Sequence, residues 1–146
     1  MAAYYKELGY EYLGITDHSK SAFYANGLSE ERIEKQHQEI DKLNKKLNPF
    51  VILKGIESDI LSDGSLDYDD KILSSFDFVI ASIHSAMNMD RTKATDRLIK
   101  AISNPYTTIL GHATGRLLLR REGYPIDHRA VLDACAQYNV IVEINA

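Results

Sequence analysis

The sequence has no tryptophan, three prolines and a single cysteine among its 146 residues. Lone Cys135 cannot close an internal disulfide, so no disulfide framework organises the chain; the residue reads as core packing in a reducing, cytoplasmic setting. Positive charge is also short. Seventeen basic residues against 21 acidic ones leave a net charge of −4, without the basic patch by which a chain grips nucleic acid unaided. No apolar run approaches the roughly 20 residues of a membrane span, and no secretory apolar segment opens the chain, so no membrane partner is expected. Thiolate sets, a G-x-S-x-G elbow and a P-loop are missing too, which leaves nucleophilic-serine and nucleotide-cradle chemistry unsupported.

What is present fits one globular domain over 1–146, with 45% hydrophobic and 26% charged residues. Strands are expected at 12–16, 51–57, 76–83, 107–110 and 140–144, the third nearly continuous in apolar residues, as when both faces are covered. Between them the pattern predicts helices. Ser29 offers an N-cap for a helix over 30–47, where Ile33, Ile40, Leu43 and Leu47 recur at helical spacing before Asn48-Pro49. Shorter helices are expected at 2–8, 69–74, 92–103 and 116–121. A last one follows Asp127, with Ala130, Val131, Ala134 and Tyr138 inward. The β-α-β-α order argues for parallel strands with right-handed crossovers.

Each apolar run ends on a residue able to hold a metal. Y-L-G-I-T runs into Asp17-His18, V-I-L-K-G-I into Glu57, F-V-I-A-S-I into His84 and T-I-L-G into His112. These groups are separated by 39, 27 and 28 residues, and Glu143 follows after 31 more, so one polar group recurs per βα unit at a strand's C-terminal end. That edge is where α/β folds place chemistry. Imidazole and carboxylate suit Zn, Mn or Fe, and one carboxylate can bridge two ions. Glu57, His84 and His112 are therefore the expected half-site, with Glu57 at its centre. Asp17 either orients His18 or caps the next loop. Arg116, in the turn after His112, either forks onto a phosphate oxygen or pairs with a local acid. Asp59 and Asp63 read as turn residues, and His37 and His128 as solvated. Glu143 points into the same mouth or makes an internal salt bridge.

The runs I-T-D-H-S at 15–19, G-I-E-S-D-I-L-S-D-G-S-L-D at 55–67, S-I-H-S at 82–85 and G-H-A-T-G-R at 111–116 resemble successive motifs of the PHP (polymerase and histidinol phosphatase) family. L-D-Y-D, the N-P before the fourth strand, T-G-R-L-L and the closing E-I-N-A most resemble the C-terminal PHP domain of bacterial family X DNA polymerases. The resemblance implies a distorted (βα)7 TIM-like barrel with up to three divalent ions, of which about five βα units are present here. It implies metal-dependent phosphoester hydrolysis, with 3′–5′ exonuclease or DNA end-processing in the polymerase setting. By position, Glu57 would bridge two metals, His84 and His112 would complete one of those sites, and His18 would serve the third.

The family's opening H-x-H and closing D-x-H pairs are absent, and Ala113 stands where G-H-P is usual. By the family pattern the chain is the middle of a barrel, truncated at both ends, keeping one site whole and one ligand each for two others. Weak metal binding, little activity of its own and self-association through exposed strand edges are then expected. Two alternatives stay open: a free-standing small-molecule phosphatase of histidinol-phosphatase type, and a catalytically incomplete scaffold.

Overall fold

The computed structural model describes residues 1–144. Five parallel strands form one open sheet in sequential order: β1 (Tyr12–His18), β2 (Val51–Asp59), β3 (Phe78–Ser82), β4 (Thr107–Leu110) and β5 (Ile141–Val142). Helices α1 (Ala2–Glu7), α2 (Glu30–Leu47), α3 (Asp70–Leu73), α4 (Arg91–Ile102) and α5 (His128–Tyr138) alternate with them. This is the strand order of a partial TIM-like barrel whose sheet does not close. Strands β1 and β5 are the outer edges of the described sheet, the surfaces at which the sequence pattern expects self-association. No described helix is long and apolar enough to cross a membrane.

Local chemistry explains the helix bounds. The Ser29, Asp69, Asp90 and Asp127 side chains accept from backbone N–H groups of the first turns of α2, α3, α4 and α5. Glu30 and Glu31 sit at the positive end of α2, and Lys45 and Lys46 at its negative end.

Core packing lies on one side of the sheet. Ile56 and Ile60 of the β2 segment, Val79 and Ala81 of β3 and Leu110 of β4 pack with Leu98, Ala101 and Ile102 of α4 and Val131 and Cys135 of α5. A smaller cluster joins Ile52 and Phe50 to Ile40, Leu43 and Leu47 of α2. Because strand side chains alternate, Gly14, Gly55, Glu57 and Phe78 face the other way. There the Phe78 ring lies across Gly14 and Gly55: a Cβ on either would come within 2.9 and 2.3 Å of it. Parallel register then sets His18 directly beside Glu57.

Several expectations need correction. Residues 116–121 form no helix: Leu117 and Arg121 make an antiparallel bridge around Leu119, whose φ of 61° closes a turn. Tyr138 is exposed rather than inward. His37 is not on a solvated face; its ring packs edge-on to Phe76 at 4.8 Å, and burial lowers its pKa. His128 is exposed, as expected. β3 and β5 are shorter than their apolar runs, while β1 and β2 extend into the polar ends.

The connection from β1 to α2 is tightly closed. Leu28 N–H donates to the His18 carbonyl at 2.9 Å, and a Cβ at Gly27 would lie 1.8 Å from the Ser19 carbonyl oxygen. Because that neighbour is backbone, Gly27→Ala is expected to destabilise the chain by about 1–3 kcal/mol. Urea unfolding reads the change; an unaltered midpoint would show that the loop relaxes freely.

Candidate metal centre

Four polar side chains meet where strands β1 to β4 end. His18 is the last residue of β1, Glu57 lies two residues before the end of β2, and His84 and His112 follow β3 and β4 by two residues. Glu57 Oε1 lies 3.2 Å from His84 Nε2 and 3.1 Å from His112 Nε2, and the two imidazole nitrogens are 3.2 Å apart. Donor atoms around a four-coordinate ion with bonds near 2.0 Å stand about 3.3 Å apart, so this triangle fits such an ion closely. His18 Nδ1 lies 3.6 Å from Glu57 Oε2 and, though buried, has no hydrogen-bond partner among the described residues. An orphaned ring nitrogen beside a carboxylate is a donor waiting for a cation. His18, Asp59 and His84 form a second group whose donor atoms lie within 4.8 Å of one another.

The neighbours of these side chains hold them in place. Asp59 is buried, and its Oδ1 lies 2.5 Å from His84 Nδ1, which directs the other ring nitrogen at Glu57. Asp59 Oδ2 in turn accepts from the Ser21 hydroxyl at 2.9 Å, and its N–H donates to Ser19 Oγ at 2.8 Å. Burial works against charge on His84, but Asp59 and Glu57 outweigh it and raise its pKa to about 9. Hydrogen bonds from His112 and His84 hold the Glu57 carboxyl well below the usual carboxylate range. His112 has a φ of 23°, a conformation rarely adopted by a residue with a side chain, and its N–H donates to Glu143 Oε2 at 2.7 Å. Arg97, 4% exposed, donates to the carbonyls of Ile60, Leu61, Ser85 and Ala86, tying together the segments that follow Asp59 and His84.

Known relatives share this stretch. The chain is 48% identical over 138 residues to the DNA polymerase/3′-5′ exonuclease PolX of Bacillus subtilis (strain 168), covering 94% of the chain and 24% of that protein. It is 38% identical over 105 residues to a probable phosphatase of Caldanaerobacter subterraneus subsp. tengcongensis, covering 69% of the chain and 39% of that protein. A probable phosphatase of Clostridium acetobutylicum is 38% identical over 112 residues, 73% of the chain and 42% of its own length. No family model matches the chain. These similarities are consistent with a PHP-like domain. The chain spans about a quarter of the PolX protein and about two fifths of these phosphatases.

Within the described residues the other candidates separate. Asp17 does not orient His18: it is exposed, faces away along the strand, and accepts from Gln36 Nε2 of α2 at 2.6 Å. Asp63 is a turn residue, accepting from the Ser65 N–H and hydroxyl. Asp59, expected in the turn, belongs to the centre instead. Its signal was the spacing E-S-D, which on a strand puts Glu57 and Asp59 on one face. Glu143 makes no salt bridge among the described residues; it lines the mouth beside His84 and His112, where its Oε2 accepts from the His112 N–H. Arg116 is exposed and its guanidinium pairs with no acid among the described residues. It lines a groove of about 860 Å³ that opens from His84 and His112, walled by Met87, Leu117, Leu118 and Leu132.

Two outcomes follow. A metal needs a neutral imidazole nitrogen, whereas His84 carries its proton up to about pH 9 in the metal-free domain. Mn²⁺ affinity is therefore expected to strengthen about tenfold per pH unit between 6 and 8 with release of one proton per ion, measured by calorimetry in buffers of differing ionisation enthalpy. In Asp59→Asn that slope should flatten, because one of the two charges raising His84 is gone. Glu143→Ala, which frees the His112 backbone, is expected to weaken Mn²⁺ about 10–100-fold. Equal affinity in that variant would show the clamp to be unnecessary.

Proposed function

We propose that residues 1–146 form a metal-dependent phosphoesterase domain, and that the intact protein is a family X DNA polymerase whose PHP domain trims 3′ ends. One observation carries the reading: the carboxylate of Glu57 and the imidazoles of His84 and His112 present three donor atoms 3.1–3.2 Å apart at one rim of the sheet. Glu57, His84 and His112 would hold one divalent ion, Glu57 would be shared with a second, and His18 would serve a third. Mn, Zn or Fe suits this donor set. Bound ions would supply Lewis acidity and an activated water.

The chain's own groups do the rest. Asp59 keeps the His84 tautomer that leaves Nε2 free toward Glu57. Glu143 holds His112 in its positive-φ conformation. Arg116, unpaired and on the groove wall, would take a phosphate oxygen in its guanidinium fork. The 48% identity to PolX favours a DNA end over a small ester. Probable phosphatases among the relatives keep the small-ester reading as the second. An unpaired, buried Cys135 suits a cytoplasmic setting.

The direct test is Mn²⁺-dependent hydrolysis of a model phosphodiester by the intact protein. Activity should fall at least about a hundredfold in Glu57→Ala and in His84→Ala with the circular dichroism spectrum retained. Full activity in either variant would end the proposal.

A further inference from the structure

The loop between β1 and α2 carries two aromatic rings that neither the core nor the metal centre uses. Phe23 is 88% and Tyr24 73% exposed, although the residue before them, Ala22, is 1% exposed. Together with Ala25 they form a single 3-10 turn, closed by Asn26 at a φ of 53°. The Tyr24 ring centroid lies 5.9 Å from that of His18 and 6.4 Å from that of His84, so it stands at the edge of the donor cluster.

This turn is anchored rather than free. Ser21 N–H donates to Asp67 Oδ2 at 2.7 Å and its hydroxyl to Asp59 Oδ2 at 2.9 Å. On the far side, Arg32 Nη1 donates to the carbonyls of Asn26 and Gly27 at 2.9 and 3.1 Å. Gly27 N–H closes back onto the Ala22 carbonyl at 3.2 Å. Two apolar rings are thus held out in water by a framework that reaches the same Asp59 that positions His84. Exposing them costs solvation free energy. Holding them still, however, removes the ordering cost of a partner's flat face.

The occupant follows from the neighbourhood. A phosphoester held at Glu57, His84 and His112 has its organic substituent within reach of the Tyr24 ring, about 6 Å from two of the donor histidines, with Phe23 next to it in the same turn. The substituent that offers a flat face on either side of a phosphodiester is a nucleobase. With a net charge of −4 the chain has little electrostatic grip on a polynucleotide backbone, so stacking is the affinity source this surface provides. We propose that Phe23 and Tyr24 form a stacking platform for the terminal bases of a single-stranded nucleic-acid end, making such an end, rather than a small phosphate ester, the substrate of this site. The inference rests on the phosphoesterase reading above.

The test uses an oligonucleotide with 2-aminopurine at its 3′ end, whose fluorescence is quenched on stacking. Wild type should quench it in Ca²⁺ and cleave the oligonucleotide in Mn²⁺. Phe23→Ala and Tyr24→Ala should each raise KM about tenfold with kcat retained, since base–aromatic stacking contributes about 1–3 kcal/mol per base. Tyr24→Phe should behave as wild type, whereas Phe23→Leu, apolar but not flat, should resemble Phe23→Ala. Mn²⁺ affinity and melting temperature should stay at wild-type values. Unchanged KM in the double alanine variant, no quenching by wild type, or a loss that tracks a fall in Mn²⁺ affinity would each overturn the platform. Quenching without Mn²⁺-dependent cleavage would instead strike the phosphoesterase reading and leave the stacking surface standing.

Discussion

His84 is gripped from both sides, at Nδ1 by Asp59 at 2.5 Å and at Nε2 by Glu57 at 3.2 Å. A half-buried imidazole between two carboxylates is stable only if something cationic compensates the pair. In the metal-free chain that cation is the proton on His84, and the raised pKa expresses it. A divalent ion would take over the same role with more charge. The arrangement therefore suits a cation. Removing one carboxylate would leave the other buried beside a neutral ring, so the three groups behave as one unit.

The sheet makes this unit out of residues far apart in sequence. All the packed helix contacts lie on one face, burying Ile56, Val79, Ala81 and Leu110, and the alternation of strand side chains then directs Glu57 to the other. Parallel register aligns His18 with Glu57, and the turns after β3 and β4 bring in His84 and His112. Arg97 is the counterpart on the core side. Its buried guanidinium satisfies carbonyls of both segments beside Asp59 and His84, which stiffens the rim without adding a ligand.

Around the donors the surface is divided. One flank is the groove with Arg116 and leucine walls; the other is the anchored turn with Phe23 and Tyr24. On the proposed reading, the Arg116 guanidinium on one side and the exposed rings on the other would match the two halves of a nucleotide. If the proposed platform holds, an acidic chain would act on a polyanion through its terminal nucleotides rather than along the backbone.

The strand-ending residues His18, Glu57, His84 and His112 were legible because a βα repeat returns one polar group to the same rim per unit, and periodicity survives in a single sequence. Helix starts at Ser29 and Asp127 were legible because capping is local chemistry. What the tertiary structure alone decided depends on partners remote in the chain. Asp59 looked like a turn residue until β2 ran two residues further and met His84. Asp17 lost its expected role because strand alternation sends it to Gln36. Residues 116–121 form a bridged turn because Leu117 pairs with Arg121 instead of continuing a helix. Glu143, Arg97 and the Phe23–Tyr24 turn each gain their part from a contact across the fold, and contact between distant residues leaves no local signature in composition or spacing.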